Sequence, residues 1–411
     1  MVGIWLALLA PGADGAPPTA RADELVRQLA DDQFTVRQKA HDGLAQLGMD
    51  AFGALTKGLG AADPEVARRC RELLDQLRVT DLENRLKKFK EGAGTLPGYD
   101  RYVGVVGESK EGREFFVDMW SANPIFLADV EERPDRAGGM VAGTAQNLSQ
   151  NFYQNQQRRS VTGKGMVPEV AAVLFALQNP KLREANLPGA QRQMLNLDVA
   201  TSQISSLMSH EVIRAAVLAS KNGEHSPMYK LAVGFMRAQM RSPQTQQMLI
   251  HMCMNLNLKE SVELAEVVLA NRGFNQHGRG LACALVGKFG DQKDAHILVA
   301  ALDDTTHINQ FQLGQRGQMR GNTEVRDVAL AQLVALTRQS HKDYGFPFAE
   351  QGAQFNQFNT YNMGFTSPEK RRAAFTKWKA YAAERPDLQP KKPLKEDLPE
   401  AENKPNDDDN Q

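Results

Sequence analysis

Two stretches of this 411-residue chain carry the same apolar spacing, thirty residues apart. Val36, Ala40, Leu44 and Leu47 follow one another at steps of four, four and three, and Val66, Cys70, Leu74 and Leu77 repeat those steps. Such steps put four side chains on one stripe of an α-helix. Phe52, Leu55 and Leu59 lie between the two sets and mark a partner helix, so the repeating unit is a pair of helices. The spacing returns at Val325, Ala329, Leu333 and Leu336, and in degenerate form at Arg279, Ala282, Val286 and Phe289. One helix pair cannot bury its own stripe and must stack on a neighbour. The expected fold is therefore all-α, a helical-repeat solenoid with long polar loop insertions.

Helix starts punctuate the chain. Asp63-Pro64, Asn123-Pro124, Asn179-Pro180, Ser226-Pro227, Ser242-Pro243 and Ser367-Pro368 each set a capping residue before a proline. A short polar side chain takes up orphan N–H groups there, and proline gives up one that had no partner. The run after Pro180 is too short for much of a helix.

The stretch Asp32 to Ala40, followed by Leu44 and Leu47-Gly48, resembles a HEAT repeat, as do Asp63 to Leu74 and the segment Ala282 to Asp304. The segments Leu96 to Tyr102 through Arg113 to Met119, and Val325 to Leu330 followed by Lys342 to Phe346, Gly364-Phe365 and Lys377-Trp378, are similar to parts of exported bacterial HEAT-repeat proteins. The resemblance implies architecture rather than activity. It also implies that Arg37 and Arg326 help to hold successive repeats in register against Asp32, Asp303 and Asp304, since a carboxylate-to-guanidinium bond is directional and suits alignment.

On this reading residues 1–22 are a signal-like segment and 23–91 are HEAT-like helix pairs. Residues 92–259 form a helical middle with a Gln/Asn-rich loop at 146–166, and 260–384 hold further repeats and a capping helix near 368–384. Residues 385–411, rich in proline and acid, form a disordered tail. In the capping helix Trp378, with Ala374 and Tyr381, seals the stack while Lys370, Arg371, Lys377 and Lys379 line the outside. Three Gln/Asn-rich stretches, 146–157, 305–322 and 351–362, lack the apolar content for a core and read as loops. Deleting 308–321 should then cost little, because loop closure alone favours the shorter connection by about 1.3 kcal/mol.

Composition narrows the function. Lys plus Arg and Asp plus Glu are equal at 49 each, which argues against a general grip on nucleic acid or anionic membrane. Cys70, Cys253 and Cys283 are odd in number and far apart, in no zinc-ligand spacing, so neither a disulfide framework nor a metal is expected. His210-Glu211 lacks the second histidine of a zinc protease, since position 214 is Arg. His251 and Cys253 point to different sides of a helix. Tyr102 to Ser109 lacks the Gly-Lys-Ser/Thr of a phosphate loop and reads as a helix end and turn, and no Gly-x-Ser-x-Gly elbow occurs. The basic cluster Arg158-Arg159 with Lys164 reads as a solvated loop, and the sequon at Asn147 is a common chance match. No catalytic residue, cofactor or metal is expected.

The run Ile4 to Ala10 is too short to span a bilayer and reads as a secretory signal core, with Ala20-Arg21-Ala22 as the cleavage site, although the basic n-region is missing. The expectation is a periplasmic or secreted chain with no membrane span after cleavage, with a cytoplasmic one as the alternative. The function expected is a non-enzymatic scaffold with a protein partner. The alternatives are a nucleic-acid-binding HEAT-like protein or an enzyme of unrecognised type.

Overall fold

The computed structural model describes residues 17–157, 165–183, 190–221, 223–313 and 319–388. The described residues are predominantly helical, and they divide into two compact units, Met1–Phe235 and Met236–Gln411.

In the first unit α1 (Pro18–Gln28), α2 (Phe34–Leu47), α3 (Phe52–Gly58) and α4 (Pro64–Lys90) close on one cluster. Ala40 and Leu44 from α2 meet Leu55 from α3, and Val66, Cys70, Leu73 and Leu77 from α4. The α4 stripe is therefore rotated from the expected one: Leu73 takes the fully buried place and Leu74 packs at its margin. Of the three α3 positions Leu55 alone is core, with Phe52 and Leu59 exposed. Gly58 lets α3 approach α4, since a Cβ there would stand 2.5 Å from Cys70 Sγ.

At its N-terminus Asp63 accepts a bond from the Glu65 N–H, and α4 then runs 27 residues, about 40 Å. Its second half carries Leu82 and Phe89 into a different core. There α5 (Tyr99–Val106), α6 (Lys110–Ala122), α7 (Pro124–Glu132), α8 (Pro134–Gln157) and α9 (Met166–Leu177) assemble. Phe89 meets Tyr99 edge-on at 4.8 Å, and Tyr102 donates from its hydroxyl to the Gly112 carbonyl at 2.9 Å. Arg78 pairs with Asp129, and Arg85 with Glu132 at 3.0 Å, fastening α4 to α7. The unit continues through α10 (Ala190–Met208), α11 (Glu211–Leu218), the two-residue strands β1 (Ser220–Lys221) and β2 (Glu224–His225), and α12 (Pro227–Gln239), which spans the division.

One expectation fails here. Residues 146–157 are helical, the end of α8, and not a loop. Val141, Ala145, Leu148 and Phe152 recur at steps of four, three and four and are buried, so Gln and Asn need only fill the other faces. Arg158, Arg159 and Lys164 lie outside the described residues.

The second unit holds α13 (Pro243–Leu256), α14 (Ser261–Ala270), α15 (Gln276–Phe289), α16 (Ala295–Val299), the strands β3 (His307–Leu313) and β4 (Met319–Glu324), α17 (Val325–Leu336), α18 (Pro347–Glu350) and α19 (Pro368–Ala383). Between α16 and α17 the chain departs from the expected polar loop, because β3 and β4 pair as antiparallel strands. Phe311 pairs with Gly321, and a Cβ at Gly321 would stand 2.4 Å from the Phe311 ring. Ile308 and Phe311 are buried, and Asn322 exchanges both main-chain bonds with Phe365, at 3.1 and 3.2 Å. Ile308 and Phe311 are three residues apart, with a bulge between His307 and Asn309, so the stretch lacks the strict alternation that announces a strand. The third polar stretch, 351–362, is irregular but anchored: Gln332 donates to the Gln357 carbonyl at 2.9 Å, and Phe355 stacks on His341 at 4.1 Å.

Of the expected disordered tail, Pro386–Leu388 form a 3-10 turn with Leu388 buried, while residues 389–411 lie outside those described. The expected cleavage site Ala20-Arg21-Ala22 falls in the first turns of α1, with Ala22 in the core, so cleavage there has to precede folding.

Candidate functional site

The strongest polar chemistry of the second unit lies in two buried clasps. Arg279, from α15, donates through Nη1 to Asp304 Oδ2 at 2.7 Å, and both side chains are almost wholly buried. Asp304 also accepts from the Thr306 N–H, so one carboxylate ties α15 to the turn before the hairpin. The second clasp forms because α17 begins with a reciprocal cap: Glu324 accepts from the Asp327 N–H, and Asp327 accepts from the Glu324 N–H at 2.9 Å. Arg371, from α19, then lays its fork on Asp327, with two bonds of 2.9 Å, and reaches Asn322 Oδ1 at 2.8 Å. Its remaining nitrogen stands 3.0 Å from Glu324. Burial pushes the Asp327 carboxyl up to about 6, outweighing the opposite pull of Arg371.

These clasps replace the expected ones. Arg37 donates to the main-chain carbonyls of Asp31 and Asp32, at 2.7 and 2.9 Å, and to no carboxylate. Arg326 pairs with Glu324 at 2.7 Å, while its main-chain N–H reaches the Asp304 carbonyl. Among the repeat positions only Arg279 meets an Asp of the following turn. Arg371, expected on the outside with Lys370, Lys377 and Lys379, is buried instead, because the inward face of α19 at Arg371, Ala374 and Trp378 meets the acidic cap of α17. The pattern Glu324-x-x-Asp327 was the available signal, since two acids at that spacing before an apolar run announce a helix start that gathers negative charge.

Val325, Ala329 and Leu333 are fully buried on α17, as are Ala282 on α15 and Ala40 and Leu44 on α2. Val66 and Cys70 are buried on α4, while Val36 is half-buried.

Beside the second clasp an open groove of about 880 Å³ runs along α19. Val299, Leu302, Phe375, Trp378, Ala382 and Leu388 supply its apolar lining, and Arg326, Arg371, Arg372, Lys379 and Asp303 its charge. Arg326 and Arg371 are already held by acids. Arg372 pairs with Glu369 only on the exposed surface, and Lys379 has no ion-pair partner among the described residues. The Arg326 guanidinium stands 5.6 Å from the Phe375 ring. Trp378 is 2 % exposed, a wall of the groove more than a free aromatic.

The remaining sequence motifs take structural places. Tyr102–Val106 closes α5 and Gly107 turns with φ 85° toward the Ser109 cap of α6. His210 caps α11 with its ring against Phe152 at 3.7 Å, and burial lowers its basicity. His251 is exposed beside Gln247, whereas Met252 and Cys253 face inward. Burial pushes the Cys253 and Cys283 thiols far above their ordinary range, which leaves them inert as nucleophiles. Among the described residues no group of three or more His, Cys, Asp or Glu is placed to hold a metal ion, and no helix is long and apolar enough to cross a membrane.

No known protein family, curated protein or solved structure matches the chain.

Proposed function

We propose that the chain is a non-enzymatic, protein-binding scaffold of HEAT-like helix pairs that acts in the periplasm or outside the cell, and that it grips its partner in the groove along α19. The observation that carries this reading is the groove itself. An apolar strip of Leu302 and Phe375, backed by the buried Trp378, lies between charged rims, in a wall fixed by the Arg371–Asp327 clasp. Apolar anchors ringed by polar residues are how a protein surface takes a peptide. A nucleic-acid role would need a track of free cations, and two of the four here are already neutralised.

The test is crosslinking in the native organism with periplasmic, secreted and cytosolic fractions kept apart. Partner peptides should map to α16 and α19, outside the cytosolic fraction, and should be lost in Phe375→Glu, with an unchanged melting temperature of the variant showing that the fold is intact. Partner peptides that map elsewhere, or that survive in Phe375→Glu, would refute the groove. Sequencing the mature N-terminus checks export separately, with Asp23 as the expected first residue and an intact Met1 as the contrary result.

A further inference from the structure

The outer edge of β3 is open. On β4, Asn322 spends its main-chain N–H and C=O on Phe365, so both point away from β3. Gln310 stands opposite Asn322 in the register, and in an antiparallel pair the residue facing such a position turns its own N–H and C=O away from the neighbouring strand. Gln312, two residues on, does the same. Among the described residues nothing donates to or accepts from these main-chain groups. The elements that pack on β3, α15 and the turn Thr360–Asn362, meet at Ile308: a Cβ at Gly280 would stand 3.0 Å from Ile308 Cδ1 and 3.8 Å from Thr360. No main-chain bond joins either element to the strand. Gln310 and Gln312 are exposed, while Phe311 between them is buried. We propose that β3 pairs edge to edge with β3 of a second copy of this chain, antiparallel and about a two-fold axis at Phe311, so that Gln310 of each copy meets Gln312 of the other.

Three features choose this occupant. The first is that the hydrogen-bonding pattern complements itself. Two outward residues spaced two apart, set against the same two in reverse order, satisfy every donor and acceptor they present. The second is the side chains. A glutamine amide both donates and accepts, so Gln310 matches Gln312 of the opposite copy as a cross-strand pair. A foreign strand is chosen by pockets for its alternate side chains, and two flexible amides choose no such sequence.

The third is what the strand lacks. His307–Leu313 contains no Lys, Arg, Asp, Glu or Pro, the residues that keep natural edges apart, so two copies meet without opposing like charges. The outer edge of β4 is closed at Asn322 by Phe365, and pairing about a two-fold axis uses up both β3 edges, so assembly stops at two. The paired run, Asn309 to Leu313, is short, which makes the dimer weak and reversible. The pairing does not depend on the scaffold reading, and neither glutamine lines the groove along α19.

The experiment uses the full chain. Sedimentation velocity from micromolar to millimolar chain should show a monomer passing reversibly into a dimer. Gln310→Glu with Gln312→Glu sets acids against acids across the axis and should keep the chain monomeric over the whole range. Gln310→Lys with Gln312→Glu sets opposite charges there and should bring the dimer at severalfold lower concentration than in the parent. All three chains should melt together, since both positions are exposed.

The register has its own readout. Gln310→Cys and Gln312→Cys chains, mixed and oxidised, should give the mixed disulfide in excess over either homodisulfide, because directly opposed positions bring Cα atoms to about 5.5 Å and like positions are displaced along the strand. The native Cys70, Cys253 and Cys283 are buried and do not compete. A parent that stays monomeric throughout would overturn the proposal, as would a Gln310→Glu/Gln312→Glu chain that dimerises like the parent. Homodisulfides in excess would overturn the register. If the parent is monomeric and a crosslinked partner is lost in the Gln310→Glu/Gln312→Glu chain, the edge takes a foreign strand and the second copy is refuted.

Discussion

The helices α2 and α17 carry the same sequence spacing and live in different surroundings. In α2 the stripe of Ala40 and Leu44 is buried while Val36 and Leu47 are only half covered, and Arg37 spends its donors on two main-chain carbonyls at the unit's surface. In α17 nearly every residue from Val325 to Val334 is buried, Gln332 and Asp327 among them, because α15, α16, β4 and the turn His341–Tyr344 pack against it. A shared repeat spacing therefore specifies which face meets the neighbour, and the neighbours decide how deep the helix lies. Depth then decides which polar contacts matter: a surface arginine can be lost cheaply, and a buried clasp cannot.

The comparison breaks most visibly if the hairpin is removed. Deleting 308–321 takes out Ile308 and Phe311, leaves cavities and unpairs the Asn322 edge, so the second unit should lose about 5 kcal/mol or more. A full denaturant melt checks this, and an unchanged midpoint would mean the hairpin is a passive insertion after all.

Next in size is the clasp. Arg371→Ala strands Asp327 as a buried, unpaired carboxylate and should cost about 3–5 kcal/mol near neutral pH, whereas Arg37→Ala should cost about 0.5–1.5 kcal/mol. The pH dependence has a definite sign. The folded-state carboxyl of Asp327 is raised to about 6, so its protonated form is the one the fold favours. Stability from that titration is complete below the unfolded value and is lost as pH rises through about 6. The Arg371→Ala deficit should therefore shrink when the melts are repeated at pH 5, and a constant deficit would show that Asp327 does not carry the charge.

A core leucine sharpens the comparison further. Leu333→Ala should lose about 2–5 kcal/mol, as a fully buried side chain leaves a cavity. The corresponding Leu74→Ala should lose only about 1 kcal/mol, since Leu74 sits at the margin of its cluster. Equal losses would restore the simple repeat alignment.

The smallest effect concerns His341. Burial holds its imidazole neutral, so folding favours the deprotonated ring and stability falls as pH drops below about 6.5. Melting temperatures followed from pH 7 to pH 5 should decline less in His341→Gln than in the parent.

Helix positions were legible where local rules act alone. Asp63, Ser226 and Ser367 cap through their own side chains, and the prolines after them open helices as their fixed φ requires. Stripe positions were legible to within one residue, the limit shown by Leu73 displacing Leu74. Composition misled where a few apolar residues suffice: Leu148 and Phe152 hold the end of α8 despite eight Gln and Asn around them, and Ile308 and Phe311 hold the hairpin. The groove was least legible. Its walls come from residues 299–303, 326 and 368–388, which no local pattern connects, and Arg371 reads as one more surface cation unless α19 meets the cap of α17.

The central claim is that a common spacing yields a shallow N-terminal cluster and a deep, clasped C-terminal stack able to serve as a rigid wall for binding. Native-state hydrogen exchange on the full chain tests it most directly. Amides of α17 should exchange only by global opening of the second unit, and those of α2 by local opening at lower free energy. Amides of α2 protected as strongly as those of α17, or α17 exchanging first, would contradict the account.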